Sequence, residues 1–196
     1  MRKAYCIFIL CLSGTLALAQ NVATVNGKPI EHKEFMWFYK KNHPGNGNIS
    51  YADLMAYLEL YVNFKLKVLE AREMGLDKDT AYVKEVKNYE TALRGQKHLS
   101  KDKPEYRYIM NEYGDAVLMF NISEMKIWNR AQNDENQLRS FHDKNRALYQ
   151  GKPFEEVKGQ VISDYQLSLE KDWVIELKKK YPVKVNTEQV KKMAKP

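Results

Sequence analysis

The stretch from Phe154 to Asn186, FEEVKGQVISDYQLSLEKDWVIELKKKYPVKVN, decides how this chain can fold. Apolar residues recur in it at every fourth position: Val157, Val161, Tyr165, Leu169, Trp173, Leu177 and Tyr181. Because four residues advance about 400° around an α-helix, this apolar stripe winds over roughly two-thirds of the circumference. The pattern therefore predicts a long helix, from Phe154 to Tyr181 and ended by Pro182, that packs against several elements rather than against one flat partner.

A short strand is predicted at each end of the chain. Val183 to Val185 follows the long helix, and Val22 to Val25 precedes the turn signal Asn26-Gly27. An isolated strand of three or four residues has no stability of its own, so each needs a partner. We expect the two strands to pair with each other and to fasten the two ends of one domain together.

Almost everything between the two strands is predicted to be helical. Ser50 is a candidate cap for a helix that begins at Tyr51 and is ended by Gly75, and Ser123 is a candidate cap for a later helix. Polar breaks containing proline occur at Ser100 to Pro104 and at Gln150 to Pro153. The expected fold class is mainly α, with a small two- or three-stranded sheet that joins the N- and C-terminal ends.

The first 19 residues have the pattern of a cleaved secretory signal. Arg2 and Lys3 are followed by an almost wholly apolar run to Leu18, and Ala17-Leu18-Ala19 supplies a signal-peptidase site. The run is too short for a transmembrane anchor, which needs about 20 apolar residues. A signal peptide is therefore predicted over 1–19, and the mature protein is expected in the periplasm.

The mature chain is predicted to lack cysteine. Cys6 and Cys11 both lie within the signal, and the residues before Cys11 lack the small residue that a lipoprotein signal requires. A cysteine-free protein in an oxidising compartment has no disulfide, so it must fold by its core alone. Thiol redox chemistry is excluded for it.

Charge gives no indication of a nucleic-acid partner. The formal net charge of +7 falls to +5 when Arg2 and Lys3 are removed with the signal. Much of the surplus lies at Lys178 to Lys180 and at Lys191, Lys192 and Lys195. Lysines at a helix C-terminus complement the helix dipole, and no nucleic-acid-binding motif accompanies them.

The sequence contains no recognisable catalytic or metal-binding motif. The four histidines, His32, His43, His98 and His142, are scattered without the spacing of metal ligands. The nine glycines form no phosphate-binding or nucleotide-binding loop and no nucleophile elbow. We expect no cofactor, no metal and no catalytic residue, and assign the histidines to the surface or to packing.

Large, adaptable apolar side chains are the positive signal. The chain has 13 Tyr, 8 Met and 3 Trp, and local clusters of large apolar residues occur at FMWFY (Phe35 to Tyr39) and VLMF (Val117 to Phe120). Most are expected in the core, but side chains such as Met36 and Trp37 lie off the apolar arc of their helix, and exposed Met and Trp suit varied apolar contacts. The candidate client-binding residues are Met36, Trp37, Met110, Tyr113, Met119 and Trp128.

Two groups of segments carry a family resemblance. VATVNGKPIEHKEFMWFYKKN and LELYVNFKLKVLEAREMGLDKD resemble the N-terminal chaperone region of SurA-like periplasmic foldases, and EYRYIMNEYGDAVLMFNISEMKIWNRA and VKGQVISDYQLSLEKDWVIELKKKYPVKVN resemble the C-terminal parts of long members of that group. The resemblance covers nearly all of the mature chain. It implies a single composite chaperone domain over 20–196, with an N-terminal part (20–99) and a C-terminal part (104–196).

The chain departs from that family in one respect. Relatives carry parvulin-type prolyl isomerase domains of about 90 to 100 residues between the two parts, and neither polar break has room for one. No isomerase activity or catalytic residue is therefore carried over.

Three functions follow as hypotheses. The first is a periplasmic chaperone that binds unfolded outer-membrane or secreted polypeptides in an apolar groove, without isomerase activity. The alternative from another class is an adaptor or structural subunit that holds one folded partner. A prolyl isomerase is the least favoured. A homodimer whose helices exchange between chains is a variant of the first two, since short linkers encourage swapping.

Overall fold

Eight helices and three short strands make up the residues that the computed structural model describes, which are 21–45, 47–95 and 100–194. The strands are β1 (Asn21–Val25), β2 (Lys28–Glu31) and β3 (Val183–Val185). The helices are α1 (His32–Asn42), α2 (Tyr51–Glu73), α3 (Thr80–Arg94), α4 (Pro104–Ser123), α5 (Asn129–Asn133), α6 (Glu135–Lys144), α7 (Phe154–Lys180) and α8 (Thr187–Met193). The predicted mainly α fold is confirmed. The expectations for the signal peptide (1–19), His98 and Lys195 concern residues outside the described ranges.

The three strands form one antiparallel sheet in the order β2-β1-β3. β1 and β2 are joined by Asn26 and Gly27, whose φ angles of 48° and 76° suit the tight hairpin turn that Asn-Gly favours. β1 then pairs with β3, placing Val25 opposite Val183. The predicted pairing of the two terminal strands is confirmed, and the hairpin adds β2 as the third strand.

The chain divides into two compact units. One contains the residues up to Leu58 together with those from Val183, and the other runs from Glu59 to Pro182. The chain passes from the first unit to the second within α2 and returns after α7. The single composite domain over 20–196 stays a prediction.

The first unit, which we call the terminal unit, contains the sheet. Phe35, Phe38 and Tyr39 of α1 are buried, as their spacing predicts, and α8 packs its buried Val190 against β1. Ser50 caps α2 as expected, because its hydroxyl oxygen accepts the Asp53 N–H at 3.0 Å and its hydroxyl donates to the Asp53 carboxylate.

The second unit, the helical unit, is organised around α7. Of its predicted stripe, all residues are buried except Leu169, which is half-buried. α7 packs against α5, α6 and the turn that precedes α5. The winding stripe thus has several partners, as predicted.

A buried carboxylate joins α4 to α2 in the helical unit. The Asp115 side chain is only 5% exposed, and its two oxygens accept from Lys65 Nζ at 2.8 Å and from Arg72 Nη2 at 2.6 Å. Each oxygen thus has its own cation, which offsets the cost of removing a carboxylate from water.

The expectation that Ser123 caps a new helix was wrong. Ser123 has helical φ and ψ angles of −67° and −38°, and the chain continues from α4 through a π-helical turn, Glu124–Trp128, into α5. Ser123 is buried, and its hydroxyl donates to Met119 Sδ at 3.5 Å. The helix continues because Ile122 and Ile127, on either side of the expected boundary, are both buried in the unit.

Replacing Asp115 with Asn should destabilise the protein, because Lys65 and Arg72 lose their shared counter-charge. We expect the free energy of unfolding to fall by about 2 to 3 kcal/mol. Breaking a fully buried ion pair costs about 3 to 5 kcal/mol, and the cost is smaller here because both cations reach solvent. Glu135→Gln is the matched control, since Glu135 also accepts from two cations, Arg139 and Lys158, but is 51% exposed. Urea denaturation measures both, and equal losses would contradict the burial argument.

Gly114 of α4 allows the Tyr82 side chain of α3 to approach closely. A Cβ atom at Gly114 would lie 2.9 Å from the Tyr82 hydroxyl oxygen. We expect Gly114→Ala to destabilise the protein by about 1 kcal/mol, because overpacking exceeds the gain in helix propensity. In a Tyr82→Phe background the same change should be neutral or stabilising. A thermal or urea double-mutant cycle tests this, and a loss of the same size in both backgrounds would contradict it.

Candidate polypeptide-binding surface

The π-helical turn between α4 and α5 changes which side chains share a face. Within it the Asn129 N–H bonds to the Glu124 carbonyl, a step of five residues instead of four. In a regular α-helix, residues eight apart point about 80° away from each other. The extra residue in the turn makes Phe120 and Trp128 equivalent to residues seven apart, which lie about 20° from each other.

Phe120 and Trp128 consequently meet. Their ring centroids are 4.9 Å apart with the planes at 69°, an edge-to-face contact. Phe120 is nevertheless 53% exposed and Trp128 is half-buried, and Met125 of the same turn is 50% exposed. We call Phe120, Met125 and Trp128 the aromatic–methionine surface.

The opposite side of this helical segment holds it in the unit. Leu118, Ile122 and Ile127 are buried there. A rigid support of this kind keeps the large exposed side chains in place.

Lys126 also ties the π-helical turn to α2. Its Nζ lies 3.3 Å from Glu70 Oε1, and the second oxygen of Glu70 accepts from Trp173 Nε1 of α7 at 2.6 Å. The Glu70 side chain is 12% exposed, so this carboxylate joins three elements in a largely buried position. Lys126 is therefore a partner for Glu70. It stands three residues after Ser123, where a capping box would have an acid.

Two of the six predicted client-binding residues lie in the terminal unit. Met36 and Trp37 of α1 are half-buried. The Trp37 ring makes an edge-to-face contact with Phe38 at 4.9 Å, and Lys41 Nζ lies 5.6 Å from the Trp37 ring centroid.

The other four, Met110, Tyr113, Met119 and Trp128, lie in the helical unit and are half-buried. Tyr113 is held in the α3–α4 contact, where its ring stacks on Tyr89 at 3.6 Å and its hydroxyl donates to Glu85. That hydrogen bond, with a smaller effect of burial, raises the pKa of the Tyr113 hydroxyl. Met119 Sδ accepts the Ser123 hydroxyl, and Trp128 contacts Phe120 in the aromatic–methionine surface.

Sequence reasoning missed Phe120 and Met125 as site residues. Phe120 belongs to the VLMF run, but its contact with Trp128 depends on the helix continuing past Ser123. The sequence carried no signal for it, because Phe120 and Trp128 are eight residues apart and share a face only through the extra residue of the π-helical turn.

Two histidines take part in aromatic packing. His142 is 3% exposed, stacks on Tyr149 at 5.2 Å, and its Nε2 lies 3.0 Å from the Lys152 carbonyl oxygen. His43 stacks on Tyr39 at 4.3 Å. Over residues 21–45, 47–95 and 100–194 no group of three His, Cys, Asp or Glu side chains is placed to hold a metal ion. No helix in those ranges is long and apolar enough to span a membrane.

Comparison of the chain with protein-family models, with curated proteins and with solved structures gave no significant match.

Proposed function

We propose that the protein is an exported, non-enzymatic chaperone that binds extended apolar segments of unfolded outer-membrane or secreted polypeptides. The aromatic–methionine surface is the observation that carries the proposal. Phe120, Met125 and Trp128 place two aromatic rings and a thioether beside solvent on a supported helical segment.

The chemistry of this surface suits clients of varied sequence. Methionine is flexible and polarizable, and it adapts to apolar side chains of different shapes. Aromatic rings contribute a large apolar area with little loss of conformational freedom. Single exposed apolar residues are ordinary on a protein surface, but an aromatic ring pair and an exposed methionine within the nine residues 120–128 are a local concentration of them.

The signal-like sequence and the resemblance to SurA-like foldases also support the proposal. The signal-like sequence over 1–19 and the cysteine-free remainder fit a protein that works outside the cytoplasm. A sheet that joins both ends of the chain fits the composite chaperone core that the SurA-like resemblance implies. The chain has no room for a parvulin insertion, so the proposal includes no prolyl isomerase step.

Replacing both Phe120 and Trp128 with Ser should weaken client binding. The lost apolar contact is expected to lower the affinity for an unfolded polypeptide by about tenfold or more. The measurement is suppression of the aggregation of a urea-unfolded outer-membrane protein on dilution, with chaperone up to equimolar amounts. Leu167→Ser is the matched control, since Leu167 is 64% exposed on α7.

Three outcomes would overturn the proposal. Unchanged aggregation with equimolar unmodified protein would contradict chaperone function. Recovery of one stable folded partner, without affinity for unfolded chains, would favour an adaptor. Turnover in a protease-coupled proline peptide assay would identify an isomerase. Urea midpoints of the variants separate loss of binding from loss of folding.

A further inference from the structure

The two edges of the sheet in the terminal unit differ in their backbone hydrogen-bonding groups. The Asn186 N–H donates to the Val22 carbonyl at 2.8 Å, in line with the register that sets Lys184 opposite Thr24. In an antiparallel ladder, opposite residues form hydrogen-bonded pairs and pairs without hydrogen bonds in alternation. Lys184 therefore bonds to β1, while Val183 and Val185 direct their N–H and C=O groups away from it.

The hairpin supports this assignment independently. In a two-residue hairpin the flanking residues, here Val25 and Lys28, form a hydrogen-bonded pair. Val25 thus bonds to β2 and not to Val183, which lies opposite it on β3. By the same alternation, the backbone groups of Pro29 and Glu31 point outward from the free edge of β2.

Only the β3 edge can accept another strand well. Pro29 has no N–H, so the outer edge of β2 is blocked, as is usual for proline on an edge strand. Among the described residues β3 pairs with β1 alone. The side chains of β3 are accessible as well, since Lys184 is exposed and Val185 is 42% exposed.

We propose that the outer edge of β3 binds an extended polypeptide segment as a fourth antiparallel strand, with preference for an apolar–acidic–apolar triplet. Backbone groups of Val183 and Val185 hold the two outer residues of the triplet. The middle residue then faces Lys184 in a pair without backbone hydrogen bonds, where cross-strand side chains come closest. An acidic side chain there meets the lysine, and the flanking apolar side chains meet the two valines.

Charge distinguishes this occupant from a second copy of the chain. The two-fold antiparallel register that pairs all three residues of two β3 strands is centred on Lys184 and sets Lys184 opposite Lys184, and like charges directly opposite are destabilising. In α8, which follows β3, Lys191 is paired with Glu188 at 2.9 Å, and Lys192 adds positive charge to the same segment. An acidic extended segment is therefore the complementary partner.

This inference deepens the proposed function and rests on it for the nature of the partner. The aromatic–methionine surface binds client side chains, whereas the β3 edge binds client backbone, which every extended polypeptide offers. The two modes lie in different units and use different chemistry, so they can fail separately.

The test uses short capped peptides with a central Val-Glu-Val or Val-Lys-Val triplet, titrated into the purified protein and followed by NMR. We expect about a threefold preference for Val-Glu-Val, the size of one cross-strand charge pair. Lys184→Glu should reverse the preference, and Lys184→Gln should remove it. The amides of Val183 and Val185 should become protected from hydrogen exchange on binding, while that of Lys184 is protected already.

Backbone pairing is tested by N-methylated peptides. N-methylation of either valine of the triplet removes a donor that faces β3 and should lower the affinity more than tenfold, as expected for loss of a ladder hydrogen bond together with a steric clash. N-methylation of the glutamate, whose N–H faces away, is the matched control and should keep most of the affinity.

Equal losses in the two N-methylated peptides, or an unchanged preference in Lys184→Glu, would overturn the inference. A second copy would be favoured, and the inference overturned, by two results together. Light scattering would show a concentration-dependent dimer, and the amides of Val183 and Val185 would be protected from hydrogen exchange without peptide. Failure here with intact, Phe120-dependent suppression of aggregation leaves the proposed function standing. Peptide binding without suppression of aggregation refutes the proposed function alone.

Discussion

Pairing between β1 and β3 is the contact on which the terminal unit depends. It joins residues about 160 positions apart, such as Val25 and Val183. Closing a flexible loop of that length costs about 4 to 5 kcal/mol of chain entropy, and a three-residue ladder does not offset this by itself. The remainder comes from apolar burial beside the sheet, where Val22, Phe35 and Val190 have no exposed surface.

In the helical unit, buried carboxylates hold separate helices together. Asp115 and Glu70 each receive more than one donor from other elements, and both fix helices that have large apolar side chains. Carboxylates in low-dielectric surroundings hold their partners in defined geometry, which apolar contacts alone do not. Through Lys126, Glu70 also fixes the π-helical turn, and with it the place where Phe120 and Trp128 meet.

Some features could be predicted from sequence because local chemistry specifies them. Asn26-Gly27 specifies a hairpin, Ser50 with Asp53 specifies a helix start, and the four-residue repeat of α7 specifies a helix with several partners. The Ser123 cap was wrong because a serine inside a helix and a serine before one look alike in sequence. The outcome there depended on the burial of Ile122 and Ile127, which is a tertiary effect.

The candidate surface was only partly predictable for the same reason. A π-helical turn is a shift in backbone hydrogen bonding with no residue type of its own, so nothing local indicates that Phe120 and Trp128 come together. Asp115 finds its cations 43 and 50 residues away, and such partners are invisible to periodicity. Trp128 was identified from its residue type, whereas Phe120 and Met125 required the geometry.

The division of the chain into units has a consequence for how the protein is made. The helical unit is one continuous segment, Glu59 to Pro182, so all its contacts become available before synthesis reaches β3. The terminal unit is discontinuous, and β1 waits for β3, which is synthesised after the whole helical unit. During that interval the β1–β2 hairpin exposes a free strand edge on the newly made protein, which for that time resembles the unfolded polypeptides it is proposed to bind.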